Sequence, residues 1–237
     1  MSEDYRKKVR ESIIDQIELW EKEKAEKLSK KEEKKGYHPF VTISREYGCG
    51  GYETAVALAG KLSVGGKTWA AYDRLVIDGI MKDMGLSRKI AETLTTAAQG
   101  QMTTYFQGLF ANYPPQVTVH RKVAEMIRTL AVNGFVVIVG RGGAFVMRDL
   151  PRGFHVRLVA PLEWRVERIS RLLGVKTKEA ERTIAEKSGE RDGFYREYLK
   201  FDTADPVNFD IVINNARYDA REAAEIIAGG MAARKLI

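Results

Sequence analysis

Three glycines in four positions, Gly48, Gly50 and Gly51, stand between a short β-rich run, Phe40-Val41-Thr42-Ile43-Ser44, and a stretch with Ala55, Leu58, Ala59 and Leu62 at helical spacing. Glycines lack a Cβ, so backbone N–H groups in such a loop can converge on an anion. A helix that starts at once adds its unpaired N–H groups and partial positive charge. The chemistry this predicts is a cradle for the phosphates of a nucleotide. Gly48, Cys49, Gly50 and Gly51 would form it, with Tyr52, Glu53 and Thr54 opening the helix. A tight turn that needs positive φ is the plainer alternative. Cys49 admits two readings: a thiol activated by the helix N-terminus, or a small residue that simply fits the loop.

A second glycine group, Gly140-Arg141-Gly142-Gly143, follows the most apolar run of the chain, Phe135-Val136-Val137-Ile138-Val139. Packing explains an arginine poorly there. Its planar fork suits a phosphate, which accepts two parallel hydrogen bonds. Tyr72-Asp73-Arg74 ends another β-rich run, so Asp73 and Arg74 point to the same end of a sheet; alternatively, Asp73 caps the next helix. Arg165, Arg168 and Arg171, three residues apart, make one helix face basic, with Glu163 and Glu167 partly neutralising it. His38, His120 and His155 are scattered and form no metal-ligand spacing. Nor does any Ser–His–Asp arrangement have local support.

These groups need a scaffold that brings strand ends together. Strands are predicted at Phe40–Ser44, Thr68–Tyr72, Phe135–Val139, Phe154–Val159 and Phe209–Ile213. Helices fill the intervals, including Val117–Val132, Leu162–Leu173 and Arg221–Leu236, with a polar, mostly helical stretch over 74–111. Alternating strands and helices with buried central strands argue for a parallel sheet covered on both faces. Residues 1–36 differ. They carry Val9, Ile13, Ile17 and Trp20 as one narrow apolar stripe, then the charged run EKEKAEKLSKKEEKK. This reads as a long helix, docked by its first half. It serves either as a dimerisation or partner helix or as a helix folded back on its own domain, and the compositional break predicts that the core folds without it.

Four runs, ISREYGCGGYETA, WAAYDRLVI, GRGGAFVMRDLP and ERDGFYREYLKFDTADPVNFDIVIN, occur in that order from about Phe40 onward. As a set they resemble the cytidylate kinase-like family, relatives of the P-loop nucleoside-monophosphate kinases. The resemblance implies a three-layer α/β P-loop NTPase-like fold over 37–237 with a central five-stranded parallel sheet. It also implies an acceptor-binding insertion at about 74–112 and a lid at about 174–200, and leaves residues 1–36 as an N-terminal helical extension. The function implied is transfer of the terminal phosphoryl of ATP, with Mg²⁺, to a CMP-like acceptor. Asp73, Arg74 and Arg141 would hold that acceptor. Arg191 and Arg196 would act from the lid, with Asp192 orienting an arginine or holding Mg²⁺.

One departure bears on catalysis. A standard P-loop reads Gly-Lys-Ser/Thr, the lysine on the β/γ phosphates and the hydroxyl on Mg²⁺. Here those positions are Gly51, Tyr52 and Glu53, and the resembling sequences tend to place an arginine where this chain has Tyr52. Thr54 stands one residue late. The missing cation points to Arg45, just upstream, or to Arg191 and Arg196. Two other functions stay open: a non-catalytic nucleotide-binding protein that reports through its N-terminal helix, and a kinase of a non-nucleotide metabolite.

The formal net charge of +7, from 39 Lys+Arg against 32 Asp+Glu, favours anionic partners. Positive and negative residues are interspersed, so small phosphorylated ligands are expected rather than nucleic acid. No apolar run approaches the roughly 18 residues of a membrane span. The charged N-terminus lacks the pattern of a secretory signal, and the single cysteine fits a reducing compartment. A cytoplasmic protein, perhaps-free of membrane contact, and a homodimer through the N-terminal helix are the matching expectations.

Overall fold

The computed structural model describes residues 3–29, 37–65, 67–110, 118–194 and 201–237. Five strands, β1 (Phe40–Arg45), β2 (Ala70–Tyr72), β3 (Val136–Val139), β4 (Gly153–Val159) and β5 (Ile211–Asn214), form one sheet in the order β2-β3-β1-β4-β5. Every pairing is parallel. The chain moves from β1 to β2 on one side, returns to β3 between them, then crosses to β4 on the other side. The order therefore switches at β1, and the crevice beyond its carboxyl end is where open α/β sheets bind ligands.

Alternation along the strands builds two cores. Phe40, Val136 and Ile138 face one layer, while Val41, Ile43, Val137 and Val139 face the other. The first layer holds α3 (Arg74–Lys82), α4 (Met84–Glu92), α5 (Thr96–Phe110), α6 (Thr118–Asn133) and the single turn α7 (Gly143–Val146). The second holds α2 (Gly51–Leu62) and α10 (Ala220–Ala233). Beside them α8 (Leu162–Leu173) and α9 (Thr177–Phe194) pack on each other through Ile169, Ala180 and Ile184. This is the three-layer α/β fold with a central five-stranded parallel sheet expected from the sequence. Among the described residues no helix is long and apolar enough to cross a membrane.

Two local readings change. The last strand begins at Ile211 rather than Phe209, because Asp210 leaves the ladder: its carboxylate accepts from His155 N at 2.6 Å and from Arg234 Nη1 at 2.5 Å. The N-terminal helix α1 (Glu3–Ser29) is not set apart from the core. Ile13, Ile17 and Trp20 are buried in the first layer with Phe40 and Tyr72, and Trp20 Nε1 donates to Gly134 O at 3.3 Å. The apolar stripe is thus consumed within its own chain, which argues against both a dispensable helix and a dimer built on that stripe. The side chain of Val9 lies outside the described residues. Farther along, Lys24 Nζ donates to Glu92 O at 2.6 Å and Glu23 pairs with His38 at 3.0 Å.

Candidate active site

The first glycine loop leaves β1 at Arg45 and enters α2 at Gly51. Gly50, the N-cap residue, is left-handed at φ +68° and offers no side chain to the helix end. α3 and α10, by contrast, are capped by Asp73 and Asp219. The first-turn N–H groups of α2 have no intrahelical acceptor, so this end keeps the donor character that suits an anion. Helix α8 presses on the loop. A Cβ on Gly48 would lie 3.1 Å from Arg165 Cβ, and one on Gly50 would lie 3.2 Å from Arg168 Nη2.

The other predicted loop residues are placed as follows. Cys49 is buried, and burial first, then the Glu46 carboxylate, push its thiol up to about 11. That favours the small-residue reading over a reactive thiol. Thr54 is fully buried; its hydroxyl donates to Gly50 O at 3.2 Å, and Asn215 Nδ2 donates to it at 3.4 Å. The same Asn215 donates to Cys49 O at 2.8 Å, which ties the loop to the end of β5. Tyr52 sits half-buried in the first turn of α2. Glu53 forms an ion pair with Arg168.

Arg45 joins the two glycine groups. A Cβ on Gly51 would lie 3.2 Å from its Cγ, and one on Gly140 would run into its guanidinium, with Cζ at 3.0 Å. Its stem therefore crosses the first loop and its charged head lies on the second. Arg191, near the end of α9, donates from Nη1 to Arg45 O at 2.7 Å. Both arginines line a cavity of about 20 Å³ with Thr42, Ser44, Gly140, Gly143, Phe145 and Thr203. That volume holds about one water, so a nucleotide needs α9 to move away from β1. Asp192 lies in α9, but its side chain is outside the described residues, and so is the whole of Arg196.

Arg141, in the second glycine group, has φ +55° and pairs with Asp78 of α3. Its buried Nε has no hydrogen-bond partner, an unfilled donor facing a carboxylate-lined cleft. Asp78 also meets Arg74, at 3.5 Å, across one turn of α3. Asp73 caps α3, its carboxylate accepting from Val76 N at 2.9 Å. The structure thus brings Arg74 and Arg141 together on Asp78, with Asp73 beside them. His120 is held below its ordinary pKa by burial first and then by Arg141.

Sequence reasoning missed several members of the site. Arg157 of β4 is 6% exposed and donates from Nη1 to Ser44 Oγ at 3.0 Å, directly under the end of β1. An arginine among the apolar residues of GFHVRLV was the signal for it. Glu46 accepts from Ala160 N at 3.0 Å and pairs with Arg165 at 3.5 Å, fixing the loop to the end of β4. Asp78 carried no signal beyond its i,i+4 spacing from Arg74. Among the described residues no group of three His, Cys, Asp or Glu side chains is placed to hold a metal ion.

A model of the cytidylate kinase-like family matches residues 40–217. The cytidylate kinase of Methanopyrus kandleri is 32% identical over 108 residues, 42% of this chain and 56% of that protein. The match thus spans little more than half the length of that relative. Among solved structures, an uncharacterised protein from Eubacterium ventriosum superposes with a TM-score of 0.64 at 22% identity, covering 83% of this chain and 99% of that one.

Proposed function

The chain belongs to the cytidylate kinase-like family, and from that premise we propose that it transfers the terminal phosphoryl of ATP to a small phosphorylated acceptor, a pyrimidine nucleoside monophosphate of the CMP type. One observation carries the proposal: Arg45 and Arg191 converge where the β1 and β3 glycine loops meet, beside the uncapped start of α2. The triphosphate chain rests on the Gly48–Gly51 loop. Arg141 and Arg74 take the acceptor phosphate in exchange for Asp78. An acceptor phosphate oxygen attacks the γ phosphorus in line, the β–γ bridging P–O bond breaks, and ADP leaves. Charge on the transferred oxygens is met by guanidinium groups already in place, which is the largest part of such catalysis. Arg191, carried by α9, closes the site against water.

The described residues do not form a built Mg²⁺ cage. Thr54 is committed to Gly50, Glu53 to Arg168 and Glu46 to Ala160 and Arg165. Mg²⁺ that arrives on ATP rests mainly on phosphate oxygens and water, and no step above runs through it.

The test is a coupled ADP-release assay over CMP, dCMP, UMP, AMP and small alcohols. Turnover with a pyrimidine monophosphate, lowered on the order of 10³-fold in Arg191→Ala with little change in ATP affinity, is the expected result. Tyr52 in the cation position favours one second reading, a protein that binds nucleotide without turning it over. Under that reading the wild type is inactive toward every acceptor and Tyr52→Arg creates activity.

A further inference from the structure

The loop cation that Tyr52 does not supply has a source in α8. Three observations converge on Arg168. Its guanidinium spans the N-cap of α2: a Cβ on Gly50 would lie 3.2 Å from Nη2, 3.4 Å from Cζ and 3.6 Å from Nε. Only a glycine, left-handed at φ +68°, leaves room for it there. Its side chain is 22% exposed, so it is held rather than waving in solvent. And its carboxylate partner is Glu53, in the first turn of α2, where a bound phosphate chain would lie. A helix start that binds phosphate carries an acidic residue at a cost, unless a cation accompanies it.

We propose that Arg168 supplies from α8 the phosphate-binding cation absent from the loop, and that Glu53 parks it over Gly50 until a triphosphate takes the carboxylate's place. The inference rests on the kinase reading above and adds a specific residue to it. Arginine suits the role because its fork can hold a carboxylate and a phosphate by the same geometry, so the exchange needs only a small swing of the side chain. The arrangement also accounts for two oddities together: Tyr52 stands where a cation is expected, and Glu53 stands where an anion is unwelcome.

The test is calorimetric titration of MgATP and of inorganic tripolyphosphate into the wild-type chain, Arg168→Ala, Arg168→Lys, Glu53→Gln and the double variant Tyr52→Arg/Arg168→Ala. Melting curves confirm that each is folded. Loss of one charge-assisted contact predicts about ten- to a hundredfold weaker binding of both ligands by Arg168→Ala, with part of the loss recovered by lysine. Glu53→Gln should bind about threefold tighter, since the cation is no longer parked. Tyr52→Arg should rescue Arg168→Ala, because a cation restored to the loop replaces the one removed from α8. The proposal is overturned if Arg168→Ala binds both ligands as the wild type does. It is equally overturned if only ATP weakens, which would place Arg168 on the base, or if Tyr52→Arg rescues nothing. A wild-type chain that binds neither ligand refutes the kinase reading itself, a different result from an indifferent Arg168.

Discussion

Gly140→Ala isolates what the seat of Arg45 contributes. Gly140 is left-handed at φ +76°, and a Cβ there would run into the Arg45 guanidinium, 3.0 Å from Cζ and 3.2 Å from Nη2. Alanine in this conformation costs about 1–2 kcal/mol, which lowers Tm by about 2–8 °C in a chain of this size. The clash itself is relieved cheaply, because the end of a flexible side chain moves before a backbone does. Arg45 is therefore pushed off its place between the loops. If its charge serves the phosphates, triphosphate affinity falls about tenfold, the low end for a charge-assisted contact. Gly65→Ala is the control: Gly65 has φ +63° with nothing within 4 Å, so it carries the strain without the displacement. Arg45→Ala should lose the same affinity as Gly140→Ala, and the double variant no more than either. Equal triphosphate affinity in Gly140→Ala and Gly65→Ala, with matched losses in Tm, would refute the reasoning.

Three further outcomes are expected. Trp20→Ala removes a side chain 2% exposed in the first core layer, at about 3–5 kcal/mol; an unchanged melt would show that α1 is dispensable after all. Cys49, with its thiol pushed up to about 11, should resist iodoacetamide at pH 8 in the folded protein and react once urea unfolds it; rapid labelling of the native protein would contradict its burial. Burial pulls Asp149 upward, but its hydrogen bond and charge contact with Arg128 outweigh that and hold it below the ordinary carboxylate value. Its contribution is therefore fully present above the unfolded pKa of about 4 and is lost as pH falls through the lower folded value. Asp149→Asn should flatten that acid limb in pH-dependent urea melts, and an identical limb in both proteins would count against the pair.

The order of strands and helices was legible in the sequence because both glycine groups follow β-rich runs and each helix shows its own apolar period. Contacts between distant segments were not. The stripe Ile13, Ile17 and Trp20 was visible, yet its period says only that one face is apolar, not which surface covers it. Asp78 and Arg157 illustrate the same limit from the polar side. Each acts through a partner far along the chain, Arg141 at a separation of 63 residues and Ser44 at 113, and single-sequence spacing carries no trace of such pairs. Thr54 was placed correctly at the helix start, but whether its hydroxyl faces a ligand or Gly50 depends on the turn of the loop, which φ values at Gly48 and Gly50 decide.

The distribution of cations follows from that loop. A P-loop lysine would travel with the helix it opens. In this chain the positive groups around α2 come instead from three elements: Arg45 from the end of β1, Arg168 from α8 and Arg191 from α9. Arg45 is fixed by the sheet, whereas α8 and α9 share a small cluster of their own through Ile169, Ala180 and Ile184. A movement of α9 that opens the 20 Å³ cavity breaks the hydrogen bond from Arg191 to Arg45 O and, through that cluster, pulls on the helix that carries Arg168. Opening for a nucleotide and disarming the site are then one motion, and the full set of charges assembles only when the phosphates are present to hold it. Ile184→Ala, which loosens α9 from α8 without touching any charged residue, should therefore weaken turnover more than triphosphate binding. Equal losses in both would mean that the two helices do not deliver their arginines together.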